Sequence, residues 1–120
     1  MNYSGRSRNV TYRGLELVEG EDIVAKIRVI VRGDSMWPTY SDGEVLICTR
    51  LRDEALQIGD VVLAQHPLRS SVKVIKRIAE IAEDGRYLLY GDNPDPLASE
   101  DGHNFGPVRK SEIIGYIQRS

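Results

Sequence analysis

Short runs of β-branched and aliphatic residues, set off by turn formers, dominate this chain and predict strands at Ile27 to Arg32, Glu44 to Thr49, Asp60 to Gln65, Val72 to Ile81, Tyr87 to Tyr90 and Glu112 to Gln118. Ser41-Asp42-Gly43, Ile58-Gly59-Asp60 and Asp84-Gly85 punctuate them as turns. Leu15 to Lys26 is harder to read. Its apolar residues, Leu15, Leu17, Val18, Ile23, Val24 and Ala25, are interrupted by Gly20 and fit either a strand, turn and helix or one short helix. Six short strands with only fragments of helix predict a compact, partly closed, mainly β fold. It forms a single domain over 15–120, behind a flexible N-terminal tail over 1–14.

Within Val72 to Ala79, a period of two places Val72, Val74, Lys76 and Ile78 on one face and Lys73, Ile75, Arg77 and Ala79 on the other. Lys76 therefore stands among aliphatic neighbours, while Lys73 shares its face with a second charge. Taken alone, such a lysine reads as a buried stem whose ammonium reaches water. A second segment changes its meaning. Arg32-Gly33-Asp34-Ser35-Met36-Trp37-Pro38-Thr39 reads as a tight turn carrying a serine, with Met36 and Trp37 as core anchors. A serine hydroxyl needs a base to act as a nucleophile at neutral pH, and a lysine is such a base only when burial lowers its pKa. The pair points to a peptidase that uses no histidine. A third segment, Gly91-Asp92-Asn93-Pro94-Asp95 followed by Ser99 to Val108, reads as a long polar loop carrying carboxylates and one hydroxyl, that of Ser99.

Composition narrows the setting. The chain has 120 residues, 41% of them hydrophobic and 28% charged, enough for one ordinary core. A net charge of -2 gives no general pull toward nucleic acid, and the basic residues cluster only at Arg6, Arg8 and Arg13. No run approaches the roughly 20 apolar residues needed to span a bilayer, and no signal-peptide centre is visible, so no membrane anchor and a cytoplasmic location are expected. The lone Cys48, in a predicted strand, reads as a small buried apolar residue. His66 and His103 lack a close third ligand, so no metal and no cofactor are expected.

Together the three segments resemble the boxes of the signal peptidase I and LexA-type serine-lysine proteases, roughly Gly-x-Ser-Met-x-Pro-Thr, Lys-Arg, and Gly-Asp-Asn followed by Ser-x-Asp-Ser-Arg. The resemblance covers about residues 27 to 118. Within it, Arg32 to Thr39, Ala64 to Arg69, Gly91 to Pro94 and Phe105 to Val108 are most similar to the maturation proteases of nickel-type superoxide dismutase.

The resemblance implies a coiled all-β catalytic core, Ser35 as nucleophile and Lys76 as general base. Ser99 would orient the lysine amine, and Asp101 and Arg77 would support the loop. Where bacterial signal peptidases have a serine for the oxyanion hole this chain has Gly33, leaving backbone amides, chiefly that of Ser35, as donors. Gly102 and His103 stand where the family has serine and arginine, and the loop before Ser99 is about two residues longer than the family spacing. Asp101 is left to pair with a protonated His103, with Arg77, or with nothing.

The implied activity is that of a soluble serine endopeptidase that removes an N-terminal extension from a precursor protein, that of nickel-type superoxide dismutase. The alternatives are a self-cleaving regulator of the LexA or UmuD kind and a non-enzymatic β adaptor that holds a peptide by edge pairing. No Ala-Gly or Cys-Gly dipeptide precedes Ser35, and too few residues precede Ile27 for a helix-turn-helix, which speaks against the regulator. The altered Gly102-His103 pair leaves the adaptor open, whereas the intact Ser35 and Lys76 speak against it. Ser70-Ser71-Val72-Lys73 fits a penicillin-recognising pattern by letters, but that chemistry needs a helix and this run is β-branched.

Overall fold

The computed structural model of the chain describes residues 10–19, 22–69, 71–95 and 106–118. They form seven strands in one antiparallel sheet: β1 Val10–Glu19, β2 Asp22–Val31, β3 Val45–Arg50, β4 Val61–Gln65, β5 Lys73–Ile81, β6 Tyr87–Tyr90 and β7 Ile113–Ile117. Among the described residues one 3-10 turn, Lys110–Glu112, leads into β7. The mainly β expectation holds, and the six anticipated strands lie within a residue or two of β3 to β7 and the second half of β2.

The helical readings of Leu15 to Lys26 do not hold. That stretch is a hairpin, paired from Glu19 opposite Asp22 out to Val10 opposite Val31. A strand forms because β2 also pairs with β3, Lys26 opposite Thr49 through Ile30 opposite Val45, and buries Ile27, Val29 and Val31 on one face. No local pattern around Gly20 carries that long-range information. β1 begins at Val10, so the stretch 1–14 anticipated as a tail ends inside a strand.

Strand order is β1-β2-β3-β7-β4-β5-β6, which puts the last strand in the middle. β7 pairs with β3 on one side and β4 on the other, joining the two halves of the sheet. Gly115 makes this possible. A Cβ there would lie 2.6 Å from the Thr49 carbonyl oxygen, a distance no side chain tolerates.

β4 and β5 supply apolar residues to both faces. Val62, Ala64, Val74 and Ile78 pack with Leu89, Val108 and Ile113, whereas Val61, Leu63 and Ile75 pack with Ile27, Val29, Met36 and Cys48. Strands buried on both sides read as nearly continuous apolar runs. The sheet curls far enough for β1 to approach β5, as a coiled β core requires. Each fully buried aliphatic side chain contributes roughly 1.5–3 kcal/mol.

Candidate active site

Ser35 lies in the turn that follows β2. The Trp37 amide donates to the Asp34 carbonyl at 3.1 Å, closing a four-residue turn with Ser35 and Met36 at its centre. Tyr40 N–H donates to the Met36 carbonyl at 2.9 Å, and the Trp37–Pro38 peptide is cis. Gly33 enters the turn at φ 86°, a left-handed value that glycine adopts freely, and its N–H donates to Asp42 Oδ1 at 2.7 Å. Met36, 1% exposed, is the anchor the sequence suggested; Trp37, 50% exposed, is not one. A core that closes over Met36 leaves its neighbour pointing away. Ser35 itself is 8% exposed. Neither its amide nor its hydroxyl makes a hydrogen bond with any of the described residues.

Lys76 sits in the middle of β5, opposite Val62 of β4, and is 1% exposed. Alternation places it with Val74 and Ile78, both fully buried, as the period of two requires. Water stabilises an ammonium, so this degree of burial works against its charged form. Arg77 is opposite Tyr90, so β5 delivers Lys76 close to the point where β6 runs into the loop beginning at Gly91.

That loop joins the two segments. Asn93 N–H donates to the Ser35 carbonyl at 2.9 Å, and Asn93 Nδ2 donates to the Asp34 carbonyl at 2.8 Å. Next to it, Asp92 accepts Arg77 Nε at 2.9 Å and Arg77 Nη2 at 2.7 Å, and accepts Thr39 Oγ1 at 2.6 Å. Arg77 Nη1 donates to the Gly59 carbonyl at 2.8 Å. Two consecutive loop residues thus tie the backbone of Ser35 to the residue after Lys76. The Arg77 hydrogen bonds hold the Asp92 carboxyl below the usual carboxylate range against the opposing effect of burial, with Thr39 assisting. The same contact raises Arg77 above its ordinary value.

The sequence passed over these roles for Asp92, Asn93 and Thr39, although Gly91-Asp92-Asn93 was a visible signal. Ser99 and Asp101, with Gly102 and His103, lie outside the described residues. Arg77, expected to support the loop, engages its start at Asp92. Lys73, although it shares its face with the charge of Arg77, is itself covered: it is 9% exposed, opposite Gln65, and desolvation lowers its pKa. β5 is covered on both faces near its start, so alternation separates the two lysines by face and not by burial.

Cys48 is wholly buried, and desolvation pushes its thiol up to about 12, which leaves no thiolate at neutral pH. His66 is also buried, with Nδ1 accepting the Leu68 N–H at 3.1 Å. Beside the clamp, a cleft of about 300 Å³ is lined by Tyr40, Gly59, Asp60, Val61, Arg77, Ile117 and Gln118. Among the described residues no cluster of three or more potential metal ligands forms, and no helix is long and apolar enough to cross a membrane.

A turn-borne serine beside a strand carrying a buried lysine is an arrangement suited to acyl transfer. The mitochondrial inner membrane protease subunit 1 of Xenopus tropicalis is 32% identical over 110 residues, covering 74% of this chain and 65% of that protein. The signal peptidase complex catalytic subunit SEC11C of Canis lupus familiaris and of Homo sapiens is 25% identical over 111 residues, covering 87% of this chain and 55% of each relative. This chain therefore spans less than two thirds of the length of these relatives. No solved structure is a significant match. The Peptidase S24-like profile matches residues 9–117, which include the whole of the sheet just described, and the chain belongs to the Peptidase S24-like family.

Proposed function

We propose that this chain is a serine endopeptidase in which Ser35 is the nucleophile and Lys76 the general base. What carries the reading is the burial of Lys76 at 1% exposure on β5, beside a loop that grips the Ser35 turn. The neutral amine takes the Ser35 hydroxyl proton as Oγ attacks a peptide carbonyl. The Ser35 N–H, which has no partner among the described residues, donates to the oxyanion that forms. Collapse expels the amine half of the substrate, which takes the proton back from Lys76. The acyl-enzyme remains, and the same amine then activates water to release it. Ser99 is assigned to orienting the Lys76 amine, and Asp101 to holding the loop with Arg77. No metal or cofactor enters the chemistry.

The substrate we assign is the precursor of nickel-type superoxide dismutase, acted on in the cytoplasm. Removal of its N-terminal extension frees the amino terminus that binds nickel. The support is the likeness of Arg32 to Thr39, Ala64 to Arg69, Gly91 to Pro94 and Phe105 to Val108 to that group of maturation proteases. Incubation with the purified precursor, followed by mass spectrometry, tests both parts. One cut at the end of the extension, absent with Ser35→Ala, is the expected result. Cleavage of other peptides but not of this precursor would reject the substrate, and no hydrolysis at all would reject the peptidase.

A further inference from the structure

The turn around Ser35 has two ends, and both point to solvent. Asp34 and Trp37 close it through the 3.1 Å bond from Trp37 N–H to the Asp34 carbonyl, which sets their Cα atoms within about 7 Å of each other. The indole is 50% exposed, although it belongs to the chain's only tryptophan and the adjoining Met36 is buried. The Asp34 carboxylate is exposed as well, and it makes no hydrogen bond or ion pair with any of the described residues. By contrast, the neighbouring carboxylates are engaged: Asp42 accepts Gly33 N–H, Glu44 accepts Ser41 N–H, and Asp92 is paired with Arg77. Asn93 Nδ2 fixes the Asp34 carbonyl, so both side chains project from a held backbone.

We propose that Trp37 and Asp34 form a recognition site for a basic side chain of the bound peptide, a lysine or arginine close to the scissile bond. An aromatic ring and an exposed carboxylate at the two ends of one turn suit a cation, whose charge is attracted by the ring and neutralised by the acid. Ser35 lies between the two residues. A peptide whose carbonyl meets its hydroxyl advances about 3.3 Å per extended residue, so the residue recognised is within about three positions of the bond cut. This inference rests on the peptidase reading for the placement of the peptide, and the binding experiment below is independent of turnover.

Because Trp37 is the single tryptophan, its emission reports the site directly. The probes are alanine-serine decapeptides carrying one lysine, moved through the six central positions, each with a norleucine counterpart of similar length and no charge. They are titrated into the Ser35→Ala variant. At one position the lysine peptide shifts Trp37 emission at a concentration about three- to ten-fold lower than its norleucine counterpart, the range expected of a cation over an indole. The gap closes with Asp34→Asn or in high salt. In calorimetry with Trp37→Leu in the same background, the lysine preference is lost while circular dichroism is unchanged.

Equal binding of lysine and norleucine peptides, or no change in emission at any position, would overturn the assignment. A lysine preference in a protein that hydrolyses nothing would remove the peptidase reading and leave the recognition site standing. Cleavage with no such preference would do the reverse. On a cleaved substrate, Trp37→Leu raises KM by the same three- to ten-fold and leaves kcat within about two-fold, a split that a folding defect does not produce.

Discussion

Arg77 grips Asp92 with two nitrogens of its guanidinium, Nε at 2.9 Å and Nη2 at 2.7 Å, across fifteen residues of chain. Thr39 Oγ1 on Asp92 Oδ2 extends the grip to the turn that bears Ser35. Removing the carboxylate leaves Arg77 without its main partner and the turn without one of its ties. The Asp92 side chain is 16% exposed and that of Arg77 35%, so solvent screens part of the loss. Asp92→Ala is expected to cost about 1–2 kcal/mol in urea denaturation and at least about ten-fold in kcat/KM, since small displacements of a reacting group are expensive. Thr39→Val should lower activity by less and stability hardly at all. Full activity in Asp92→Ala with the stability loss intact would make the clamp purely structural.

Ser35→Ala and Lys76→Met are each expected to abolish cleavage, a loss of several powers of ten, because in the proposed mechanism the two act as a unit. Methionine fills the volume of the lysine stem without its charge, so thermal unfolding should show the fold retained. Lys73→Ala and Cys48→Ser should leave the cleavage rate unchanged. Lys73 lies three residues from Lys76, about 10 Å along the strand, and its covered stem makes the alanine variant less stable by roughly 1 kcal/mol. Active Lys76→Met with inactive Lys73→Ala would invert the assignment of the base.

Lys76 was legible in the sequence because its face is set by alternation alone, a property of eight consecutive residues. The β-rich fold was legible for the same reason. What alternation could not supply is pairing between distant segments. The hairpin of β1 and β2 is fixed by β3, and the position of β7 between β3 and β4 by a glycine that admits a neighbouring backbone. Asp92 and Asn93 were visible as letters, but their roles depend on partners fifteen to fifty-nine residues away. The burial of Lys73 escaped because a strand covered on both faces hides charged and apolar positions alike.

A lysine base acts only as the neutral amine, so with Lys76 in that role the rate climbs as pH rises through its pKa. Cleavage is expected to fade in acid and rise from neutral into mildly alkaline solution. The kcat/KM profile from pH 5 to 9 checks it. A flat profile would count against a lysine base.

Acid should act on stability through Asp92. Its carboxyl is held below its ordinary value in the folded chain, so its contribution is complete above the unfolded pKa of about 3.9 and is lost as pH falls from there through the folded pKa. The stability gap between wild type and Asp92→Asn is therefore constant from pH 7 to about pH 5 and shrinks below about pH 4. Urea midpoints at pH 7, 5 and 3 measure it. A gap that persists unchanged at pH 3 would show that the Arg77 contact does not depend on the charge of Asp92.

The strongest test of the architecture is Gly115→Ala. The new Cβ would meet the Thr49 carbonyl oxygen at 2.6 Å, and a backbone atom cannot swing aside as a side chain can. Relief requires β7 to move away from β3 at the pairs Arg50 with Gly115 and Thr49 with Tyr116. On its other side β7 holds β4, Leu63 opposite Gly115 and Val62 opposite Tyr116. The turn bearing Ser35 follows β2 in one half of the sheet, and Lys76 lies on β5 in the other. Separating the halves should therefore cost both stability, by roughly 1–3 kcal/mol as overpacking does, and activity, although Gly115 belongs to neither segment. Loss of stability without any change in kcat would mean that the loop carrying Asp92 and Asn93 holds the two segments together without help from the central strand.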